Sequence, residues 1–144
     1  MTASGSATAF HEIKNGIAGR SDSEIKAYVA AREGGTDGVL DLVFRELPDA
    51  FLAEKAKQQE ISFQYEINTE DGPRFYYADV RDGRCHSGQG KLPDPRVTMT
   101  MEIPVFLQVL TGTMAPVRAF LTRKIKVAGD MMAATKFESW FARP

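Results

Sequence analysis

Cys85 and His86 are the two neighbouring side chains of this sequence whose chemistry could make a nucleophilic pair. They stand in the segment RCHSG, which follows an Asp-Gly turn and has the length of a short strand. Consecutive side chains of a strand point to opposite faces of a sheet, so this thiol and this imidazole could not act on one another. We therefore interpret Cys85 as a small hydrophobic residue that faces inward.

The other reactive residues give little indication of a metal or cofactor site. The chain has one cysteine and two histidines, His11 and His86, and no pair of them has the spacing of zinc ligands. A G-x-S-x-G elbow, a phosphate-binding loop and a dinucleotide fingerprint do not occur in the sequence. The sequence thus predicts no catalytic residue, no metal and no cofactor. A small enzyme with an unrecognised site remains an alternative.

Met131 and Met132 begin the last helical pattern of the chain, DMMAATKFESWFAR. At about 100° per residue, both methionines lie outside the apolar stripe of this helix, on opposite sides of it. Flexible, polarizable methionines at such positions could close over an irregular apolar guest, or they could fill an awkward gap in the core. The stripe itself consists of Ala133, Ala134, Phe137, Trp140 and Phe141.

The elements that would position these residues begin with a sheet that has one apolar face. The segment ISFQYEI alternates apolar and polar residues, and RFYYADV repeats the period after the turn residues EDGP. The segment RVTMTME puts Val97, Met99 and Met101 on one face, and KIKV is a further short strand. Helices must cover the apolar face of such a sheet.

Helical patterns stand on both sides of the strands. Ser21 and Glu24 have the spacing of a capping box, which predicts a helix near residues 21–33. A helix pair is predicted around Pro48, in TDGVLDLVFRELPDAFLAEKA. The segment IPVFLQVLTG is apolar on nearly all sides and must be enclosed if it is a helix. The first 20 residues are mostly small and polar, so we expect a loosely ordered segment there.

Composition limits the classes of function. The chain has 144 residues, of which 43% are hydrophobic, and this length fits one globular domain. A net charge of −1 gives no argument for nucleic acid as a partner. The single cysteine suits a reducing compartment. The sequence shows neither the pattern of a signal peptide nor an apolar run that could span a membrane, so we expect a cytoplasmic protein.

One part of the chain resembles a known family. The run LTGTMAPVRAFLTRKIKVAGDMMAATKF, residues 110–137, is similar to the closing segment of the sterol carrier protein type 2 domain, a family of intracellular lipid-binding and lipid-transfer modules. Matching positions include Pro116, Gly129, Met131, Ala134 and the two lysines of KIK. The segment VFRELPDAFLAEKA resembles the helix pair that opens many bacterial members. The resemblance covers roughly residues 37–142.

The resemblance implies a fold and a domain organisation. The fold is α+β, with a five-stranded and mostly antiparallel sheet that helices cover on one face, enclosing a hydrophobic tunnel. Residues 36–144 would form the lipid-binding domain, residues 21–35 an extra N-terminal helix, and residues 1–20 a flexible segment. Arg123 stands where the family usually has a glycine, so the turn there needs a negative φ or a tolerated strain.

The resemblance also implies a function without catalysis. The protein would bind or transfer fatty acids, acyl-CoA, sterol-like or isoprenoid lipids, and membrane or enzyme contacts would be transient. The alternative is an accessory protein that presents a hydrophobic intermediate to a multi-enzyme pathway, such as quinone or polyketide tailoring. The oligomeric state stays open. Together with the all-apolar helix and the displaced methionines, the resemblance predicts a ligand-binding wall of Phe106, Leu110, Phe120, Met131, Met132, Phe137 and Trp140. Arg118, Arg123 and Lys124 cluster in the sequence near the expected mouth, where they are either a site for headgroup or acyl-CoA phosphates or a solvated face.

Overall fold

The structure is a computed structural model that describes residues 5–142 and residue 144. Seven helices and five strands occur in this part of the chain, followed by a single 3-10 turn at Glu138–Trp140. The helices are α1 (Gly5–Ile17), α2 (Asp22–Ala31), α3 (Gly35–Ala50), α4 (Ala53–Ala56), α5 (Ile103–Leu110), α6 (Pro116–Leu121) and α7 (Met131–Phe137). The strands are β1 (Ile61–Thr69), β2 (Gly72–Arg81), β3 (Arg84–Gln89), β4 (Val97–Glu102) and β5 (Ile125–Gly129).

The five strands form one sheet in the order β3-β2-β1-β4-β5. β1 and β4 are parallel, and the other three neighbouring pairs are antiparallel. The parallel pair lies at the centre because the chain leaves β3 and crosses the sheet before it enters β4. The predicted α+β class with a mostly antiparallel sheet is therefore confirmed.

The register of the sheet collects the apolar residues on one face. Tyr65 lies opposite Tyr76 on β2 and Met99 on β4, and Met99 in turn lies opposite Val127 on β5. Helices α3, α5, α6 and α7 contact the strands, while α1 and α2 pack on α3 and α5 as an outer layer. This face is the core, because the alternation predicted from the sequence points its apolar residues toward the helices.

The N-terminal segment differs from the expectation of loose order. Residues 5–17 form α1, and its side chains Phe10, Ile13 and Ile17 are each only 2% exposed. These three positions recur at helical spacing, so one face of α1 is apolar and packs against α3 and α5. Burial of this face outweighs the small and polar composition of the segment. Residues 1–4 lie outside the described part of the chain.

Helix α2 begins with the capping box that the sequence predicts. The Ser21 hydroxyl accepts a hydrogen bond from the Glu24 backbone N–H at 3.3 Å, and the Glu24 carboxylate accepts from the Ser21 N–H at 3.0 Å. The hydrogen bond from the Ser21 backbone N–H lowers the pKa of the Glu24 carboxyl, and the Ser21 side chain adds to the effect. Ile25 and Val29 are fully buried where α2 packs against α1, α3 and α5.

The C-terminal segment departs from a single closing helix. α7 ends at Phe137, one 3-10 turn follows, and Phe141 then forms an antiparallel bridge with Phe51. The Leu52 N–H donates to the Trp140 carbonyl at 2.6 Å, and the Ala142 N–H donates to the Ala50 carbonyl at 2.7 Å. Backbone hydrogen bonds to the end of α3 thus replace the last turns of the predicted helix. None of the described helices has the length and apolar character needed to cross a membrane.

Candidate functional site

A largely apolar cavity lies between the helices and strands β1, β4 and β5. Helices α1, α3, α5, α6 and α7 all contribute to its wall, and so does the C-terminal segment. Among the described residues of the lining, Glu138 is the only charged one and Tyr65 carries the only hydroxyl. We call this cavity the central cleft; it is lined by Phe10, Leu47, Tyr65, Met99, Met101, Phe106, Val109, Leu110, Pro116, Ile125, Ala134, Phe137, Glu138, Phe141 and Ala142.

The central cleft is narrow in this conformation. The cavity volume that the centre of a water molecule can reach is about 70 Å³. The atom-free space is larger, about 660 Å³, because it includes solvent at the mouth. Ligand pockets for molecules of drug size span roughly 300–1,000 Å³. Side chains therefore fill most of the cleft, and the long tunnel that the resemblance implies stays a prediction.

A second apolar groove adjoins the central cleft where α6 faces α7. Its wall contains Val117, Phe120, Met131 and Thr135, and its floor contains Val127. The groove shares four residues with the central cleft, so the two spaces meet beneath the helices. These shared residues are Met99, Pro116, Ile125 and Ala134.

The residues predicted to form the ligand-binding wall lie in the central cleft, in the groove or outside both. Phe106, Leu110 and Phe137 line the central cleft, whereas Phe120 and Met131 line the adjoining groove. Met132 lines neither space and is 66% exposed. Trp140 is 2% exposed and lies behind Phe137, with 6.1 Å between the two ring centroids. The contact of these residues with a ligand stays a prediction.

The predicted headgroup cations lie at the surface near the groove. Arg118 is on α6, and Arg123 and Lys124 follow in the turn that leads to β5; all three are exposed. In this turn the Arg123 N–H donates to the Phe120 carbonyl at 3.0 Å, and the Lys124 N–H donates to the Ala119 carbonyl at 2.8 Å. Arg123 has a φ of 62°. The turn therefore keeps the left-handed geometry that suits glycine, at the cost of strain in an arginine.

Asp130 and Gly129 fix the start of α7. The Asp130 carboxylate accepts a hydrogen bond from the Ala133 N–H at 3.0 Å and forms an ion pair with Arg96 at 3.1 Å. The bond from Ala133 lowers the pKa of this carboxyl, and Arg96 adds to the effect. A Cβ on Gly129 would lie 2.2 Å from the Arg96 carbonyl oxygen. Glycine is therefore required where β5 passes this backbone before α7 begins.

Tyr65 places one polar side chain at the wall of the central cleft. Its ring lies edge-on to Phe44 and Phe106, at centroid distances of 5.3 and 5.6 Å. Burial, and to a lesser degree the nearby Cys85, raises the pKa of Tyr65. The phenol therefore stays neutral at physiological pH and adds no charge to an apolar wall.

Cys85 and His86 lie on opposite faces of β3, as the strand alternation predicts. Cys85 is buried among core residues, whereas His86 is exposed. Burial raises the pKa of the Cys85 thiol to about 12, with a further contribution from the charge of Asp79. The thiol is therefore protonated near neutral pH and is a poor nucleophile. Across the described residues, no three or more His, Cys, Asp or Glu side chains are grouped to hold a metal ion.

Sequence reasoning missed part of the cleft wall. Phe10 comes from the segment that was expected to be loosely ordered, although its spacing with Ile13 and Ile17 carried the signal of a buried helix face. Phe141 and Ala142 reach the wall because the C-terminal segment pairs with the end of α3. No local pattern indicates that pairing, which joins residues far apart in the sequence.

The fold and the cleft define a class, an α+β protein with an apolar space between a mixed sheet and its helices. Residues 41–142 match the model of the SCP-2 sterol transfer family, and the chain therefore belongs to this family. The match confirms the resemblance seen in residues 37–142. At a general level, the family function is the binding or transfer of sterols and other lipids.

Similar proteins place this domain in longer chains. Hydroxysteroid dehydrogenase-like protein 2 from Bos taurus is 28% identical over 102 residues, which cover 70% of this chain and 24% of the relative. The chain thus spans about a quarter of the length of this curated relative. The sec-alkylsulfatase Pisa1 from Pseudomonas sp. superposes with a TM-score of 0.65 at 19% identity, over 73% of this chain and 16% of that one. This likeness shows the fold alone.

A smaller structure provides a third comparison. Palmitated SCP2L2 from Aedes aegypti superposes with a TM-score of 0.50 at 25% identity, over 57% of this chain and 72% of that one. The form of that protein whose structure was solved is palmitated.

Proposed function

We propose that this protein binds single hydrophobic lipids in the central cleft without catalysing a reaction, and that their acyl, sterol-like or isoprenoid portion lies against the apolar wall. The observation that carries the proposal is the lining, where Glu138 is the only charged residue among those that the structure describes. Moving an acyl chain out of water contributes about 0.8 kcal/mol per CH₂. Such a wall offers few polar contacts to a ligand, so it favours a range of lipids rather than one.

Binding requires that the cleft widen. The space now open in the cleft is about 70 Å³, below the roughly 300 Å³ of a small ligand pocket. Met99 and Met101 stand on the floor, and their flexible side chains can change rotamer at little cost. The short helices α6 and α7 form the outer wall. We infer that a guest displaces these methionines and moves α6 away from α7.

The predicted ligand residues take different roles in this proposal. Phe106, Leu110 and Phe137 contact the buried part of the chain, and Phe120 and Met131 contact the part that enters through the groove. Met132 covers the guest from outside when the groove closes, and Trp140 supports Phe137 from behind. Arg118, Arg123 and Lys124 bind the phosphate or carboxylate of the headgroup by charge-assisted hydrogen bonds.

A second candidate is an accessory function, in which the cleft presents a hydrophobic intermediate to an enzyme. The length of the curated relative favours this function. The matching segment is 24% of that longer protein, hydroxysteroid dehydrogenase-like protein 2. In this case the lipid would leave the cleft only toward a partner. A bound lipid together with a co-purified enzyme would favour this function, whereas a bound lipid alone favours simple binding or transfer.

Lipid extraction tests the proposal first. The purified protein should release a defined set of lipids into organic solvent, which mass spectrometry identifies. Palmitate should then bind saturably in calorimetry and change the emission of Trp140, which contacts the cleft residue Phe137. Hexanoate should bind far more weakly, since each missing CH₂ removes about 0.8 kcal/mol.

A pair of matched variants locates the binding. Ala134 lines both the central cleft and the groove, so Ala134→Phe should fill their junction and abolish palmitate binding. Ala128→Phe introduces the same ring on the opposite face of β5, where the side chain is exposed, and should leave binding unchanged. Equal affinities of the two variants for palmitate would contradict a site in the cleft.

A further inference from the structure

The exposed apolar side chains of this protein are concentrated on two short helices. Within the described residues, the large hydrophobic side chains that are exposed all belong to α6 and α7. Their exposed fractions run from 38% to 72%. We call this set the α6–α7 surface; it consists of Val117, Phe120, Leu121, Met131 and Met132. Contiguous exposed apolar residues of this kind mark interaction sites.

The α6–α7 surface surrounds the way into the central cleft. Val117, Phe120 and Met131 line the groove, and the groove shares its floor with the cleft. Leu121 and Met132 are the two most exposed members, at 72% and 66%. An apolar partner at this surface would therefore cover the entrance to the cleft.

The stretch of chain that carries α6 and β5 has charges of one sign. From Thr111 to Gly129 the sequence has no acidic residue, and Arg118, Arg123 and Lys124 stand within this stretch. Among the described residues, these three cations take part in no ion pair. Asp130, the next acidic residue, is occupied by Arg96 and by the start of α7. The surface is therefore apolar with a cationic rim.

Arg123 adds an independent observation. Its φ of 62° lies in the left-handed region, which an arginine adopts only with strain and glycine adopts freely. The cation at this position thus occupies a backbone conformation that favours glycine. Strain of this kind commonly accompanies a functional role of the side chain.

We infer that the α6–α7 surface docks on an anionic phospholipid bilayer. Its apolar side chains would enter the boundary between headgroups and acyl chains, and the cations would bind lipid phosphates. A second copy of this chain fits less well, because a two-fold contact through this surface would bring two sets of cations together. A bilayer supplies both the apolar layer and the opposite charge.

The inference goes beyond the proposed function, because it concerns attachment to a membrane and not occupancy of the cleft. The two can fail separately. Palmitate binding without attachment to vesicles would overturn the docking inference alone, whereas attachment without palmitate binding would overturn the proposed function alone.

Co-sedimentation with lipid vesicles tests the inference. The protein should pellet with vesicles of phosphatidylcholine and phosphatidylglycerol in equal parts, and far less with pure phosphatidylcholine. Added salt should release it, because the cations are exposed. Arg118→Gln should weaken attachment about fivefold, the typical contribution of one cation near an anionic surface. Leu121→Ser should weaken it by a similar or larger factor through lost apolar contact.

Lys126 provides the matched control. It is exposed on β5 and points to the sheet face opposite Ile125 and Val127, which line the groove. Lys126→Gln removes the same charge as Arg118→Gln and should leave attachment unchanged within about twofold. Circular dichroism and thermal midpoints establish that each variant is folded.

Three results would overturn the inference. The first is no attachment of the unchanged protein to anionic vesicles. The second is an equal loss of attachment in Lys126→Gln and Arg118→Gln. Attachment would then depend on the net charge of the protein and not on the α6–α7 surface. The third is a dimer in sedimentation equilibrium that Leu121→Ser dissociates, because the surface would then be occupied by a second copy.

Discussion

Two regions of this protein carry apolar helices over the same sheet, and they differ in how much of the apolar surface is buried. In the α3 region, Leu40, Val43 and Phe44 are at most 1% exposed. On the α6–α7 surface, Phe120 is 38% and Met132 66% exposed. The helices differ in length, since α3 has 16 residues whereas α6 has 6 and α7 has 7.

Length explains part of this difference. A helix of four turns can place a full apolar stripe on the sheet and keep its opposite face polar. A helix of fewer than two turns has too few residues to separate the two faces, so large apolar side chains remain outside. The comparison indicates that the α3 region contributes chiefly to stability, while the α6–α7 surface leaves apolar area exposed, where we propose that a ligand or a membrane binds.

Aromatic packing connects the α3 region to its neighbours. Phe44 lies nearly parallel to Tyr76 at 4.6 Å and to Phe106 at 5.5 Å between ring centroids. The Ser87 hydroxyl also donates a hydrogen bond to the Phe44 carbonyl. Phe44 thus joins β2, β3 and α5 through one residue of α3.

The largest expected effect comes from removing this ring. Phe44→Ala should lower the free energy of unfolding by about 3–5 kcal/mol, the cost of a buried Phe cavity. Phe120→Ala is the matched change on the α6–α7 surface and should cost less than about 1.5 kcal/mol, because part of that ring is already in water. Urea unfolding measures both values. Equal costs would remove the distinction between the two regions.

The second-largest expected effect on stability comes from replacing a glycine. Gly129→Ala places a Cβ 2.2 Å from the Arg96 carbonyl oxygen and keeps a φ of +100°, so β5 and the start of α7 must shift. We expect a loss of about 2–4 kcal/mol in the free energy of unfolding. Gly83→Ala is the control, since its φ is +71° but no atom lies within 4 Å. Its strain alone should cost about 1–2 kcal/mol.

The sheet and the α3 region could be predicted from the sequence because their signals are local. Alternation in β1 and β4 fixes which side chains face the helices, and the capping box fixes the start of α2. The apolar patterns of α5 and α7 indicate Phe106, Leu110 and Phe137, and these residues lie at the cleft wall. Local periodicity is sufficient where an element is long or strongly patterned.

The remainder of the cleft depends on tertiary contacts. The small and polar composition around Phe10 favours loose order, whereas the spacing of its apolar neighbours indicates the helix that forms. The end of α7 was placed too late, since the bridge between Phe51 and Phe141 joins distant parts of the chain. Met132 follows the helical period, yet no periodicity indicates that it lies outside both the cleft and the groove.

The third prediction uses Met132 to separate folding from binding. Met132→Asp should change the free energy of unfolding by less than about 0.5 kcal/mol, because the side chain is mostly in water. It should weaken palmitate binding, since an apolar guest offers the carboxylate no partner when the groove closes. Met132→Leu keeps an apolar side chain and should preserve affinity. Calorimetry and thermal unfolding distinguish the two effects, and full affinity in Met132→Asp would place the guest away from this residue.

The smallest expected effect concerns Arg123, and it has the opposite sign. Arg123→Gly relieves a left-handed strain of about 1–2 kcal/mol, but glycine also increases the entropy of the unfolded chain, so a net gain of about 0.5 kcal/mol is expected. Arg123→Ala loses the charge and keeps the strain, so it should not be stabilised; the difference between the variants isolates the backbone effect. Both variants should attach more weakly to anionic vesicles. A protein that becomes more stable while its docking weakens would show that the cation at this turn serves contact rather than folding. If Arg123→Gly is less stable than Arg123→Ala, the turn is not strained.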